Sequence, residues 1–230
     1  MSSFKQQPFA SPTSFASNPE PRCPCMILAD SSYSMQGTKI AQLNAGLKLF
    51  ADEIKRDRLA AQRVEIGLIQ FGPIKVQSDF TCAADFVPPH LHAEGGTPTA
   101  EAIMMAIDML NARRQVLRNA GILLFRPWIF LITDGEPTDS PERIDEVATA
   151  IRYGDEHRRF AFFAVAVEPS DAVGIAKLSA PSRPPIKLRN TEFKTMFQWL
   201  STSLTGVARS NTAGTSQGVP LESPVGWADV

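Results

Sequence analysis

Three short segments of this chain concentrate oxygen-bearing side chains: Asp30-Ser31-Ser32-Tyr33-Ser34, Gly95-Gly96-Thr97-Pro98-Thr99 and Thr133-Asp134-Gly135-Glu136. Asp30, Ser32 and Ser34 alternate, so an extended turn can aim all three side chains the same way. With Thr97 and Asp134 they make a set of two carboxylates and three hydroxyls. Compact, hard oxygens of this kind suit Mg2+, or alternatively Mn2+ or Ca2+, and suit zinc poorly. Mg2+ takes six ligands, so the set leaves room for water and one exchangeable ligand.

Each residue also has a plainer reading. Asp30 could cap the next helix, Ser32 and Ser34 could serve turn chemistry alone, and Thr97 could be an N-cap. Asp134 without a metal is a carboxylate at a helix N-terminus, which is tolerable. Thr99 reads as structural and Glu136 as a solvated loop residue. Cys23, Cys25, Cys82, His90 and His92 have a spacing that matches no standard zinc finger. Met104, Met105 and Met109 read as helix packing.

The elements that must position these groups follow from periodicity. Cys25-Met-Ile-Leu-Ala is a short apolar run ending in Asp30, the texture of a buried central strand. Ile40, Leu43, Leu47, Phe50 and Ile54 form one apolar stripe of a helix. Segments 63–71 and 74–80 read as a hairpin around Gly72-Pro73 at a sheet edge. A Pro- and Gly-rich loop, 81–96, leads to a helix opened by Thr97-Pro98-Thr99, with Ile103, Met104, Ile107 and Leu110 inward. Pro127–Asp134 is the most hydrophobic strand and again ends in an aspartate. Ser140 is an expected N-cap for the next helix. A strand over 160–167, a short helix near Asp171–Leu178, a strand at Ile186–Leu188 and a last helix over 191–205 follow. That last helix turns Phe193, Met196, Phe197, Leu200 and Leu204 inward.

Strands alternating with helices predict a Rossmann-like, doubly wound α/β fold: a mostly parallel sheet with one antiparallel edge strand and helices on both faces. Ligands of such sheets gather at the carboxyl ends of the strands, where Asp30 and Asp134 both fall. The expected organisation is a flexible lead over 1–21, one domain over 22–207 and a flexible tail over 208–230.

Composition narrows the partners. Lys and Arg total 23 against 24 Asp and Glu, with no long basic run, which disfavours nucleic acid and anionic membranes. No stretch approaches the roughly 18 apolar residues of a membrane helix, and the first residues lack the apolar core of a secretory signal. Three cysteines without framework spacing predict reduced thiols and a cytoplasmic location.

D-x-S-x-S after an apolar strand, a later G-G-T and a later strand ending in T-D-G together resemble the metal-ion-dependent adhesion site of von Willebrand factor type A domains. The resemblance spans roughly residues 22–207. It implies that Asp30, Ser32, Ser34, Thr97 and Asp134 gather the ion, directly or through water. ITDGEPTD and the closing FKTMFQWLSTSLTGVARS are similar to the bacterial TerY-like, tellurite-resistance-associated branch. That likeness implies a stress or defence system alongside a protein kinase and a PP2C-type phosphatase. Tyr33 departs from the glycine that many members carry there, and is expected either to screen the open position or to contact the partner.

The reading that follows is a non-enzymatic binding module that engages a partner's Asp or Glu through the ion. Two others compete with it. One is a scaffold with a purely structural ion, its contacts made by the tail around Val219–Leu221 and Trp227. The other is a Mg2+-dependent phosphohydrolase with Asp30 as nucleophile. Against the latter, Ser32 occupies the place of the expected general acid, and no G-x-x-x-x-G-K-[ST] phosphate loop occurs.

Overall fold

A computed structural model describes residues 18–167, 175–189, 192–215, 221, 224 and 228–229. The strands are β1 (Cys23–Asp30), β2 (Val64–Phe71), β3 (Lys75–Cys82), β4 (Trp128–Thr133), β5 (Ala161–Ala166), β6 (Ile186–Leu188) and β7 (Ala228–Asp229). The helices are α1 (Thr38–Arg56), α2 (Arg58–Arg63), α3 (Thr99–Asn119), α4 (Pro141–Glu156) and α5 (Phe193–Arg209), with a 3-10 turn at Tyr33–Met35. The strands form one sheet in the order β3-β2-β1-β4-β5-β6-β7. β2, β1, β4, β5 and β6 run parallel, and β3 lies antiparallel at one edge.

The expected doubly wound fold is therefore present, with one addition. Ala228–Asp229 pairs antiparallel with β6, so the sheet has an antiparallel strand at each edge. Two residues carry no readable alternation, which is why periodicity did not reveal this strand. The six-residue α2 was missed for the same reason of length. Pro98 stands at the N-cap of α3, one residue before the first turn in which it was expected. Of the short helix expected near Asp171–Leu178, Ile175 and Ala176 are helical, and the first half, 171–174, lies outside the described residues. So do Val219, Trp227 and the first 17 residues.

The alternation of β1 shows how the layers are built. Cys23, Cys25, Ile27 and Ala29 point into a core shared with Leu43, Leu47, Phe50 and Ile54 of α1 and the apolar face of α5. Met26 and Leu28 point the other way, onto Ile103, Ala106 and Leu110 of α3 and Val147 and Ile151 of α4. A strand covered on both faces needs apolar residues at every position, as the run in β1 has. Trp128, Phe130, Phe163 and Trp199 form an aromatic cluster under α5, with centroids 4.8 to 6.4 Å apart. Losing a ring from such a cluster costs about 3–5 kcal/mol. Gly46 lets α1 and α5 touch, since a Cβ there would lie 2.3 Å from Phe197 Cδ2. Leu221, from the tail, packs against the same core.

The strand order reverses between β1 and β4, the switch point where an open α/β sheet leaves a crevice at its carboxyl ends. The register pairs Ala29 with Ile132, which sets Asp30 beside Thr133 at that crevice. Among the described residues no helix is long and apolar enough to cross a membrane.

Candidate metal centre

Backbone hydrogen bonds stitch the three oxygen-rich loops together. Tyr33 N donates to Gly95 O at 3.1 Å, and Glu94 N donates to Ser31 O at 2.7 Å, which joins the first loop to the second. Thr138 N donates to Thr97 O at 2.9 Å and joins the second to the third. The second loop turns at Gly95, whose φ of 74° is left-handed and whose Cβ would lie 2.9 Å from Gly72 C. Only glycine meets both conditions without strain.

Side chains close the ring. Ser32 Oγ and Ser34 Oγ share a 2.8 Å hydrogen bond, and Ser34 Oγ donates to Asp134 Oδ1 at 2.6 Å. Asp30 Oδ1 accepts from Ser32 N at 2.8 Å, and Asp30 Oδ2 accepts from Thr133 Oγ1 at 2.5 Å. Thr97 Oγ1 and Ser34 Oγ lie 3.5 and 3.8 Å from the point where a Cβ on Gly135 would sit. Those are ordinary contact distances, and they place both hydroxyls beside the same point of the third loop. The five sequence-derived residues, Asp30, Ser32, Ser34, Thr97 and Asp134, thus gather at one rim of the sheet. Asp30, Ser32, Thr97 and Asp134 are buried, and Ser34 is exposed toward the mouth.

Burial pushes the Asp30 carboxyl above its ordinary range. Hydrogen bonds from Ser32 and Thr133 pull it back, and the charge of Asp134 pushes it up again. Two partly desolvated carboxylates at one rim call for a cation. Lys39 is one that the sequence reading missed: its Nζ lies 2.6 Å from Asp134 Oδ2. It stands on the first turn of α1, five positions after Ser34, and the need to offset two acidic charges was the signal that could have found it. Thr133 and Asp139 were also missed. Thr133 orients Asp30, and Asp139 caps α3 by accepting from Ala100 N at 2.9 Å and Glu101 N at 3.2 Å.

The remaining candidates fall outside the ring. Thr99 is buried and its hydroxyl donates to Thr97 O at 3.3 Å, a structural role, while Glu136 is exposed. Ser140 caps α4 by accepting from Arg143 N at 3.3 Å. Tyr33 is 65% exposed beside the mouth. Cys23 and Cys25 are buried in the α1–α5 core, where burial pushes the Cys23 thiol up to about 12. His90 and His92 pack edge-on against each other, centroids 4.9 Å apart.

The donor set fits a hard divalent ion: carboxylate and hydroxyl oxygens converge, and Thr97 Oγ1 makes no hydrogen bond among the described residues. The family model for the von Willebrand factor type A domain matches residues 26–199. The chain belongs to this family.

Members of the A-domain family serve mostly as interaction or adhesion modules. The chain is similar to inter-alpha-trypsin inhibitor heavy chain H4 of Sus scrofa, 30% identical over 115 residues. That match covers 49% of this chain and 12% of the relative, so this chain spans a small part of that protein. Among solved structures, the pilus adhesin SpaC of Lactobacillus rhamnosus GG aligns with a TM-score of 0.61 at 14% identity, covering 81% of this chain and 30% of that one. Proximal thread matrix protein 1 of the mussel byssus aligns at 0.54 and 14%, covering 80% and 48%. The VWA domain of SpRpn10 aligns at 0.50 and 14%, covering 75% and 92%. At such identities these structures speak for the A-domain fold alone.

Proposed function

We propose that this A domain is a metal-dependent protein-binding module whose site is built by Asp30, Ser32, Ser34, Thr97 and Asp134. The observation that carries the reading is the Ser32–Ser34–Asp134 hydrogen-bond chain beside the buried Asp30, which brings side chains a hundred residues apart to one rim. Two carboxylates and three neutral hydroxyls would hold Mg2+, or Mn2+ or Ca2+, without cancelling all of its field. When bound, the ion supplies positive charge and an exchangeable position for an Asp or Glu of a partner protein, a charge-assisted contact. Tyr33, exposed at the mouth, adds an aromatic surface for the same partner.

The likeness of ITDGEPTD and the α5 sequence to the TerY-like branch supports a bacterial stress or tellurite-resistance setting. In that setting the chain works in the cytoplasm, with a protein kinase and a PP2C-type phosphatase as partners. The burial of Asp30 against Thr133, with Ser32 rather than an acid following, favours ion holding over phosphohydrolysis.

A pull-down from native cells in Mg2+ and in EDTA, with wild type and Asp30→Ala, tests the reading. The partner is expected in the Mg2+ wild-type lane alone, and equal capture in all lanes overturns it.

A further inference from the structure

A second charged cavity lies at the opposite end of the sheet, where α3 and α4 finish and β4 begins. Arg114 stands about 22 Å along α3 from Thr99, at 1.5 Å per residue. The pocket, of about 540 Å3, is walled by Arg114, Arg118, Arg126 and Arg158, with Ile122 and Leu123 forming an apolar side. That volume falls in the range of small-ligand sites. Leu123 is 57% exposed.

Arg126 is neutralised by Asp155 at 2.8 Å, and Asp155 also serves Arg183. Arg114, Arg118 and Arg158 form no ion pair among the described residues. Arg114 Nε is shut away from solvent without an acceptor. Burial, then the charges of Arg118 and Arg159, hold this guanidinium down to about 10.

Basic side chains often gather at helix C-termini merely to offset the dipole. Here the terminal carbonyls already have backbone partners, so the guanidinium donors are not spent on them. Ala120 N, Gly121 N and Ile122 N close the last turn of α3 on Val116 O, Arg118 O and Leu117 O. Arg158 N and Arg159 N close α4 on Asp155 O and Gly154 O. Arg158 is, among the described residues, the one non-glycine with a left-handed backbone, φ 51°. It occupies the position after the helix cap where glycine would be unstrained. Arginine there costs backbone strain and adds one more unpaired charge to the pocket.

We infer that this pocket binds a phosphate monoester, its dianionic head held by Arg114, Arg118 and Arg158 and its organic body resting on Ile122 and Leu123. A phosphoryl group offers three acceptor oxygens and nearly two charges to three guanidinium forks. A carboxylate, with one charge and two oxygens, leaves most of the positive charge unmatched.

Calorimetric titration of the full chain in EDTA, at a pH above the second phosphate pKa of about 6, tests this with the metal centre silenced. Phenyl phosphate is expected to bind saturably, and benzoate on the order of tenfold more weakly. Arg114→Gln and Arg158→Gly are each expected to weaken phenyl phosphate by on the order of tenfold. Arg158→Gly relieves the strained backbone, so its Tm should hold or rise, which separates lost binding from lost fold. A phosphoserine peptide run in parallel distinguishes the sources: tighter binding than phenyl phosphate assigns a modified protein, weaker binding a free ester. Equal affinity of wild type and both variants, or of benzoate and phenyl phosphate, overturns the inference.

Discussion

Lys39 and Asp134 are bonded through the oxygen that Ser34 does not use: Nζ meets Oδ2 at 2.6 Å, while Ser34 Oγ meets Oδ1 at 2.6 Å. The lysine therefore fixes the carboxylate's rotation and leaves the Ser34 side to the ring. It also sets the charge. Asp30, Asp134 and Lys39 sum to −1, so a divalent ion would bring the site to +1, whereas without the lysine it would reach only neutrality.

Lys39→Met should therefore move two affinities in opposite directions. Removal of a nearby positive charge is expected to tighten Mn2+ or Mg2+ by at least about tenfold, since even at the dielectric of water, about 80, a unit charge repels a dication roughly 6 Å away by about 1.4 kcal/mol. Acetate, standing in for a partner carboxylate, should bind the Mn2+-loaded variant more weakly, and Lys39→Arg should restore it. Water-proton relaxation of Mn2+-loaded protein, titrated with acetate, reads both. Parallel changes in both affinities would contradict the charge argument.

Asp30→Asn should change sign with the metal. Burial and Asp134 both disfavour the ionised Asp30 carboxyl, so in EDTA the amide is expected to raise Tm. At an ion concentration a hundred times Kd, wild type gains about 2.7 kcal/mol that the variant cannot. Thermal melts in EDTA and in Mg2+ should cross over. A variant less stable than wild type in both buffers would mean that Asp30 is simply structural.

Glu65 is a buried carboxylate held by Arg113 at 2.6 Å and Arg22 at 3.3 Å. Removing one member of such a cluster strands the others, so Glu65→Ala should cost about 3–5 kcal/mol. Denaturant unfolding measures it. Adding Arg113→Ala should cost far less than the sum of the single losses, because the two side chains act as a unit.

Asp57 caps α2 by accepting from Ala60 N at 2.8 Å, and it pairs with Arg209 of α5. Burial would raise its carboxyl, but the Ala60 hydrogen bond and the Arg209 partner together bring it below the ordinary range. A folded value below the unfolded one stabilises fully above the unfolded value of about 3.9 and is lost as pH falls through the folded one. Asp57→Asn should accordingly melt below wild type at neutral pH, with the gap closing in acid. A gap constant down to acid pH would assign the effect to the cap alone.

Sequence made the fold readable because the signals were long and one-sided. β1 and β4 are apolar runs ending in aspartate, and α1 and α5 carry unbroken stripes, so their places in the sheet followed. The metal set was legible because D-x-S-x-S alternates and G-G-T and T-D-G each sit at a turn. What escaped was pairing across distance. Lys39 looks like a solvated helix residue until Asp134 is placed beside it. Glu65 looks misplaced in β2 until Arg22 and Arg113 arrive from 43 and 48 positions away. β7 is too short for any period, and Arg158 declares itself only through its backbone angle.

β1 is an interior strand, hydrogen-bonded along eight register pairs to β2 and along five to β4, all parallel. Whatever pulls on Asp30 along that strand must therefore shear two ladders at once rather than unzip one. The rim that would grip a partner is thus tied to a strand held by a ladder on each side. A tug at the site is spread through the sheet before any loop has to give.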